Sequence, residues 1–193
     1  MTHDTYPDSY IRGILVTCRT IAMVGASAKD NRPSFFAFKY LLERGYLMIP
    51  VNPGLAGQKI LGQTVYARLA DIPEPVDMVD LFRNASVAPQ VLDEMLAMTP
   101  RPAVLWMQLG VRDDATAARA EAAGIKVVMD RCPKIEYGRL SSEIGWMGVN
   151  SRTLSSKRAP MPQKGVQRLA LGRVTTAGGS IARASEPDET GRP

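Results

Sequence analysis

The chain has 193 residues, 45% hydrophobic and 22% charged, with 24 Lys and Arg, 19 Asp and Glu and a single histidine. Such proportions belong to a globular protein with room for one ordinary domain and an appendage. They exclude a disulfide scaffold, because only Cys18 and Cys132 exist, and a bilayer-spanning helix, because no apolar run nears the roughly 20 residues required.

Residues 4–18 place Tyr10, Ile14, Leu15 and Cys18 at helical spacing, which predicts a helix. His3 precedes it in a stretch expected to fray. That placement argues against a histidine base, a phosphohistidine or a Ser-His-Asp triad. No basic-then-apolar leader opens the chain, so a cytoplasmic location is expected. Residues 20–24 read as a buried strand that stops at Gly25-Ala26-Ser27. A charged loop follows. Ser34 is then expected to cap a helix over 35–44, with Phe35, Phe38, Leu41 and Leu42 on one stripe and Gly45 as its stop.

Residues 46–51 form the next strand. Gly54, Gly57, Gly62, Pro73 and Pro75 punctuate a long connection, with a short extended piece at 59–61 and a helical turn near Leu69. Residues 76–82, "VDMVDLF", read as a strand in which Asp alternates with apolar residues. That alternation places it nearer a sheet edge than 20–24. A helix over 86–98 carries Val87, Val91, Met95 and Met98 on one face. A strand at 103–107, a helix at 113–123 with acids in its first turn, a strand at 125–129 and a helix at 133–140 complete the pattern.

Strands alternating with helices predict an α/β fold: a doubly wound, mostly parallel sheet of about five strands with helices on both faces. Residues 1–150 form this domain. Residues 151–193 lose all periodicity and read as an extended or disordered tail, or as an arm for a protein partner or a second copy of the chain. The tail holds eight basic and three acidic side chains, so the domain itself is charge-balanced. The domain therefore lacks the basic footprint of a nucleic-acid binder, and only the tail keeps open an RNA or acidic partner.

In such sheets ligands sit at the carboxyl ends of strands, beside the first strand. A glycine there lets main chain approach a phosphate, and a helix N-terminus offers unpaired N–H groups. Gly25, Ala26 and Ser27 supply the turn, Arg32 a cation, and Pro33 and Ser34 the helix start. A tight strand-to-helix turn without ligand is the plain alternative. An NAD site would place Asp or Glu roughly 20 residues past the glycines. This chain has Pro50-Val51-Asn52-Pro53 there, and an uncharged tip fits NADP or coenzyme A better.

The stretches "MVGASAKDNRPSF", "YLMIPVNP", "LGQTVYARLADIPEPVDMVDLF", "VLWMQLGV" and "AEAAGIKVVMDRCPKIEYGRL" resemble the small stand-alone CoA-binding proteins of bacteria. That family is related to the CoA-binding domain at the start of the succinyl-CoA synthetase alpha subunit. The resemblance runs in unbroken order over residues 11–140. It implies a Rossmann-like fold, coenzyme A as ligand and no established reaction. Carried over, Gly25, Ala26, Ser27, Arg32, Pro33 and Ser34 would hold the diphosphate, and Asn52 and Pro53 would lie near the adenosine. Phe82-Arg83, Gln108-Leu109-Gly110 and Asp130-Arg131-Cys132-Pro133-Lys134 would complete the rim.

Cys132 beside Lys134 invites a reactive thiol, although a half-buried cysteine is the commoner outcome. Asp113-Asp114 reads as helix-start acids rather than a metal site. Trp106 is expected inside the sheet, and Trp146 near the start of the tail. The reading is a protein that binds CoA or acyl-CoA without catalysis of its own. The alternative is an NADP-dependent oxidoreductase or a CoA-ligase-like subunit acting with a partner.

Overall fold

The computed structural model describes residues 2–141, so the expectations for Trp146 and the tail at 151–193 lie outside the described residues. In chain order the elements are α1 (Asp8–Thr17), β1 (Thr20–Val24), α2 (Pro33–Glu43), β2 (Leu47–Val51), β3 (Lys59–Ile60), β4 (Gln63–Thr64) and β5 (Met78–Leu81). There follow α3 (Ala88–Ala97), β6 (Val104–Met107), α4 (Asp114–Ala122), β7 (Lys126–Val128) and α5 (Pro133–Leu140). The main sheet is fully parallel, ordered β2-β1-β5-β6-β7. The connection from β2 to β5 carries the antiparallel β3–β4 hairpin and a 3-10 turn at Leu69–Asp71, where an extended piece and a helical turn are predicted.

Side-chain alternation divides the sheet into two cores. Ile21, Met23, Met78, Trp106 and Val128 face α1, α2 and α5. Ala22, Val79, Leu81, Leu105, Met107 and Val127 face α3 and α4. Helices thus cover both faces, as a parallel sheet requires.

Helix starts differ from the sequence reading for local reasons. Proline disfavours helical backbone in the residue before it, so α1 begins after Pro7 rather than at residue 4. Pro33 lacks an N–H and has a pre-set φ, so it takes the first position of α2 and Arg32 becomes the N-cap. Ser34 is therefore the second helical residue, buried, and not the cap. In α3 the buried stripe is Ala88, Val91, Leu92 and Met95, after a 3-10 turn at Ala85–Val87.

The strand containing "VDMVDLF" is not near an edge. It is β5, third of five and central. Its two aspartates do separate jobs. Asp77 Oδ2 accepts from the N–H groups of Arg19 at 2.7 Å and Thr20 at 2.9 Å, tying down the start of β1. Asp80 is wholly buried.

The N-terminal segment is anchored rather than frayed. Met129 N–H donates to Tyr6 Oη at 2.7 Å, and Tyr10 Oη donates to the Val127 carbonyl at 3.2 Å, covering the outer edge of β7. His3 is only 5% exposed, with Nδ1 3.0 Å from Tyr6 Oη and Nε2 3.6 Å from Glu121. A histidine held in this way is a structural strap, remote from the loops after β1.

Candidate functional site

The chain leaves β1 for β2 on one side, and β5 returns on the other side of β1. The loops after β1 and β5 therefore part at the carboxyl edge, where such folds bind ligands. Gly25 turns the chain with φ +89°, and its N–H donates to the Val51 carbonyl at 2.9 Å. Phe82 N–H donates to the Val24 carbonyl at 2.8 Å. A Cβ on Gly25 would lie 2.6 Å from the Phe82 carbonyl oxygen and 2.9 Å from Arg83 Cδ. The glycine is thus required twice, by its dihedral and by the side chain laid across it.

Asn52 staples the same turn. Its Nδ2 donates to the Ala26 carbonyl at 2.8 Å, and its Oδ1 accepts from Gly54 N–H at 3.0 Å, capping a 3-10 turn that begins at Pro53. Ser27 Oγ accepts from Lys29 N–H at 3.1 Å. Among the described residues, the N–H groups of Ala26 and Ser27 meet no acceptor. Residues 28–32 connect them to α2, whose N-terminal dipole favours an anion. Arg32 and Arg83 are exposed and form no ion pair among the described residues. The structure thus brings Asn52, with Pro53 after it, and Arg83 against the Gly25-Ala26-Ser27 turn, while Arg32 and Pro33 stand at the start of α2. Ser34 lies just inside α2.

The other predicted residues behave differently. Leu109 is 47% exposed, and Gly110, with φ +75°, donates its N–H to Asp130 Oδ1 at 2.7 Å. Gln108 is buried, and its Nε2 donates to Asp80 Oδ1 at 2.7 Å. Arg131 is engaged elsewhere. Its guanidinium donates to the carbonyls of Asp130 and Asp4 and lies 3.9 Å from Glu136. It also lines a cleft of about 310 Å³ with Tyr6 and Arg139, the latter paired to Glu136 at 2.7 Å.

Cys132 is the N-cap of α5 and only 8% exposed. Burial pushes its thiol up to about 11, the Asp80 charge adds to this, and the N–H groups of Ile135 and Lys134 pull the other way. The bland reading of Cys132 is therefore the one that fits. Native protein at pH 8 is expected to react with iodoacetamide about 100-fold more slowly at Cys132 than a free cysteine does, the rate rising tenfold per pH step toward the thiol's own value. Mass spectrometry of the labelled peptide, with Cys18→Ser as background, checks this. Rapid labelling at pH 8 would reinstate the nucleophile.

The aspartate pair also resolves as structure. Asp113 Oδ1 caps α4 by accepting from Thr116 N–H at 2.9 Å, and Asp114 pairs with Arg112 at 2.9 Å. Among the described residues no group of three His, Cys, Asp or Glu could hold a metal ion. Sequence reasoning missed Asp80, whose burial raises its carboxyl to about 7 against the opposing bond from Gln108. Its only sequence signal is an acid flanked by apolar residues, the pattern read above as an edge.

Comparison with known proteins adds four findings. The family model described as "CoA binding domain" matches residues 19–138. The Bacillus subtilis uncharacterized protein YneT is 34% identical over 127 residues, which are 66% of this chain and 91% of that one. A solved Thermus thermophilus protein, cell-free ID.343, is 40% identical with a TM-score of 0.65, covering 70% of this chain and 99% of that one. A shorter match, 36% over 80 residues, falls on the alpha subunit of ADP-forming acetate–CoA ligase I of Pyrococcus furiosus, and spans 39% of this chain and 17% of that subunit.

Proposed function

This chain belongs to the family of CoA binding domains, and from that premise we propose that it binds coenzyme A or an acyl-CoA at the Gly25 turn, without catalysis of its own. One observation supports the placement more than any other. The N–H groups of Ala26 and Ser27 meet no acceptor among the described residues, the exposed Arg83 lies across Gly25, and neither it nor Arg32 at the cap of α2 has a carboxylate partner there. A diphosphate supplies what that arrangement lacks: acceptors for the main-chain donors and negative charge for Arg32 and Arg83. Asn52 fixes the turn from the β2 side, and Arg83 closes it from the β5 side.

Absence of catalysis rests on chemistry. A nucleophile of this kind is activated by a depressed pKa, whereas the thiol at the rim is pushed up to about 11. The histidine is strapped to the N-terminal segment.

Thermal denaturation tests the ligand. Coenzyme A is expected to raise Tm in proportion to the logarithm of its concentration above Kd, while NAD leaves it unchanged. A rise with NADP but not coenzyme A would replace the reading with that of an oxidoreductase. Parallel titration with acetyl-CoA separates free thiol from thioester.

The match to an acetate–CoA ligase alpha subunit favours a second reading, a ligase-like subunit acting with a partner. Acyl-CoA formation by the chain together with a co-purified nucleotide-binding protein, and by neither alone, would establish that role.

A further inference from the structure

Asp80 sits in the central strand with no exposed surface, its Oδ1 bonded to Gln108 Nε2 and its Oδ2 without a partner. The residues in register with it, Met23 of β1 and Trp106 of β6, carry no charge. The indole N–H of Trp106 is occupied by the Arg131 carbonyl at 2.8 Å. From the helical layer the titratable side chain within reach of the Asp80 charge is Cys132, whose thiol that charge pushes up and Lys134 pulls down. Among the described residues no cation pairs with the carboxylate. An isolated buried charge is costly, and its one bonded neighbour is Gln108, the first residue beyond β6 on the rim of the crevice.

A side-chain amide has two unlike ends. An ionised Asp80 can only accept, so Gln108 must turn its NH2 inward and its oxygen outward. That Oε1 forms no bond among the described residues, yet it is not among their buried unsatisfied atoms, so it keeps some accessible surface at the carboxyl edge where β6 ends. We propose that Asp80 is a positioning residue that holds the Gln108 oxygen toward the crevice as acceptor for a hydrogen-bond donor of the ligand, and that a proton taken up by Asp80 reverses the amide.

This inference rests on the coenzyme A reading, in which the donor is an amide N–H, hydroxyl or thiol of the pantetheine arm. On protonation the Asp80 O–H donates to Gln108 Oε1, and the NH2 group turns outward. Burial places the carboxyl at about 7, so both forms are populated near neutrality. The rim therefore favours a donor group above that pH and an acceptor group below it.

Two experiments on the full chain test this. In ligand-free ¹⁵N-labelled protein, the Gln108 side-chain amide resonances (assigned by their loss in Gln108→Met) are followed from about pH 5.5 to about pH 8.5. A sigmoidal shift centred near 7 is expected in the parent and absent in Asp80→Asn, which removes a buried charge and is expected to fold. A flat parent profile overturns the reversal. Calorimetry then compares coenzyme A with the terminal methyl ester of 3′-phospho-ADP, which lacks the pantetheine arm but keeps a doubly esterified diphosphate that does not titrate in this range. The affinity ratio of the two is expected to change about fivefold across this range in the parent, and not at all in Asp80→Asn or Gln108→Met. A ratio that changes equally in all three overturns the positioning role. Binding of neither probe would overturn the coenzyme A reading and the ligand named here, while the resonance titration decides the amide reversal by itself.

Discussion

Gly25→Ala is expected to destabilise the protein by about 2–6 kcal/mol and to abolish coenzyme A binding in whatever remains folded. Left-handed backbone at a non-glycine residue costs about 1–3 kcal/mol at such sites. Overpacking adds about 1–3 kcal/mol, because the new methyl would lie 2.6 Å from a main-chain oxygen, that of Phe82, which cannot swing aside as a side chain can. For a domain of this size the fall in Tm is on the order of 10–20 °C. Gly45 provides the internal control. It has the same φ of +89°, yet a Cβ there would meet nothing within 4 Å. Gly45→Ala should therefore show only the strain, the same about 1–3 kcal/mol. Thermal and chemical denaturation of the two variants measure the difference, and equal losses would mean that the contact with Phe82 and Arg83 contributes nothing.

Removal of the two arginines should act on affinity instead. Charged hydrogen bonds contribute about 1.5–3 kcal/mol each, so Arg32→Ala is expected to weaken coenzyme A binding roughly 10- to 150-fold. Arg83→Met, which keeps the stem lying on Gly25, should do the same. Both side chains are exposed and lack a carboxylate partner among the described residues, so Tm without ligand should hardly move. Salt should weaken binding in the parent and much less in the double variant. Arg131→Ala should do the reverse, lowering stability through lost ties to Asp4 and Glu136 while leaving affinity in place. Unchanged affinity in Arg32→Ala and Arg83→Met would remove the diphosphate from this turn.

The sequence by itself determined the alternation of strands and helices, because period-2 and period-3.6 burial patterns are local properties of the chain. It also determined the strand-turn-helix unit from Thr20 to Glu43, since glycine and proline act on their own dihedrals whatever surrounds them. The neutral tip at Asn52 was legible for the same reason. Tertiary structure alone decided what each polar residue faces. "VDMVDLF" looked like an edge strand because the same alternation of acid and apolar residue arises when one acid anchors a neighbouring strand and the next is buried against a glutamine 28 positions later. Arg131 and Arg83 both follow strands, yet the fold delivers an N-terminal segment to the first and leaves the second open. His3 appeared dispensable until Tyr6 and Glu121 were seen to hold it. Local propensity acts over a few residues, whereas the field and the partners of a charge are set by chain that arrives from far away in sequence.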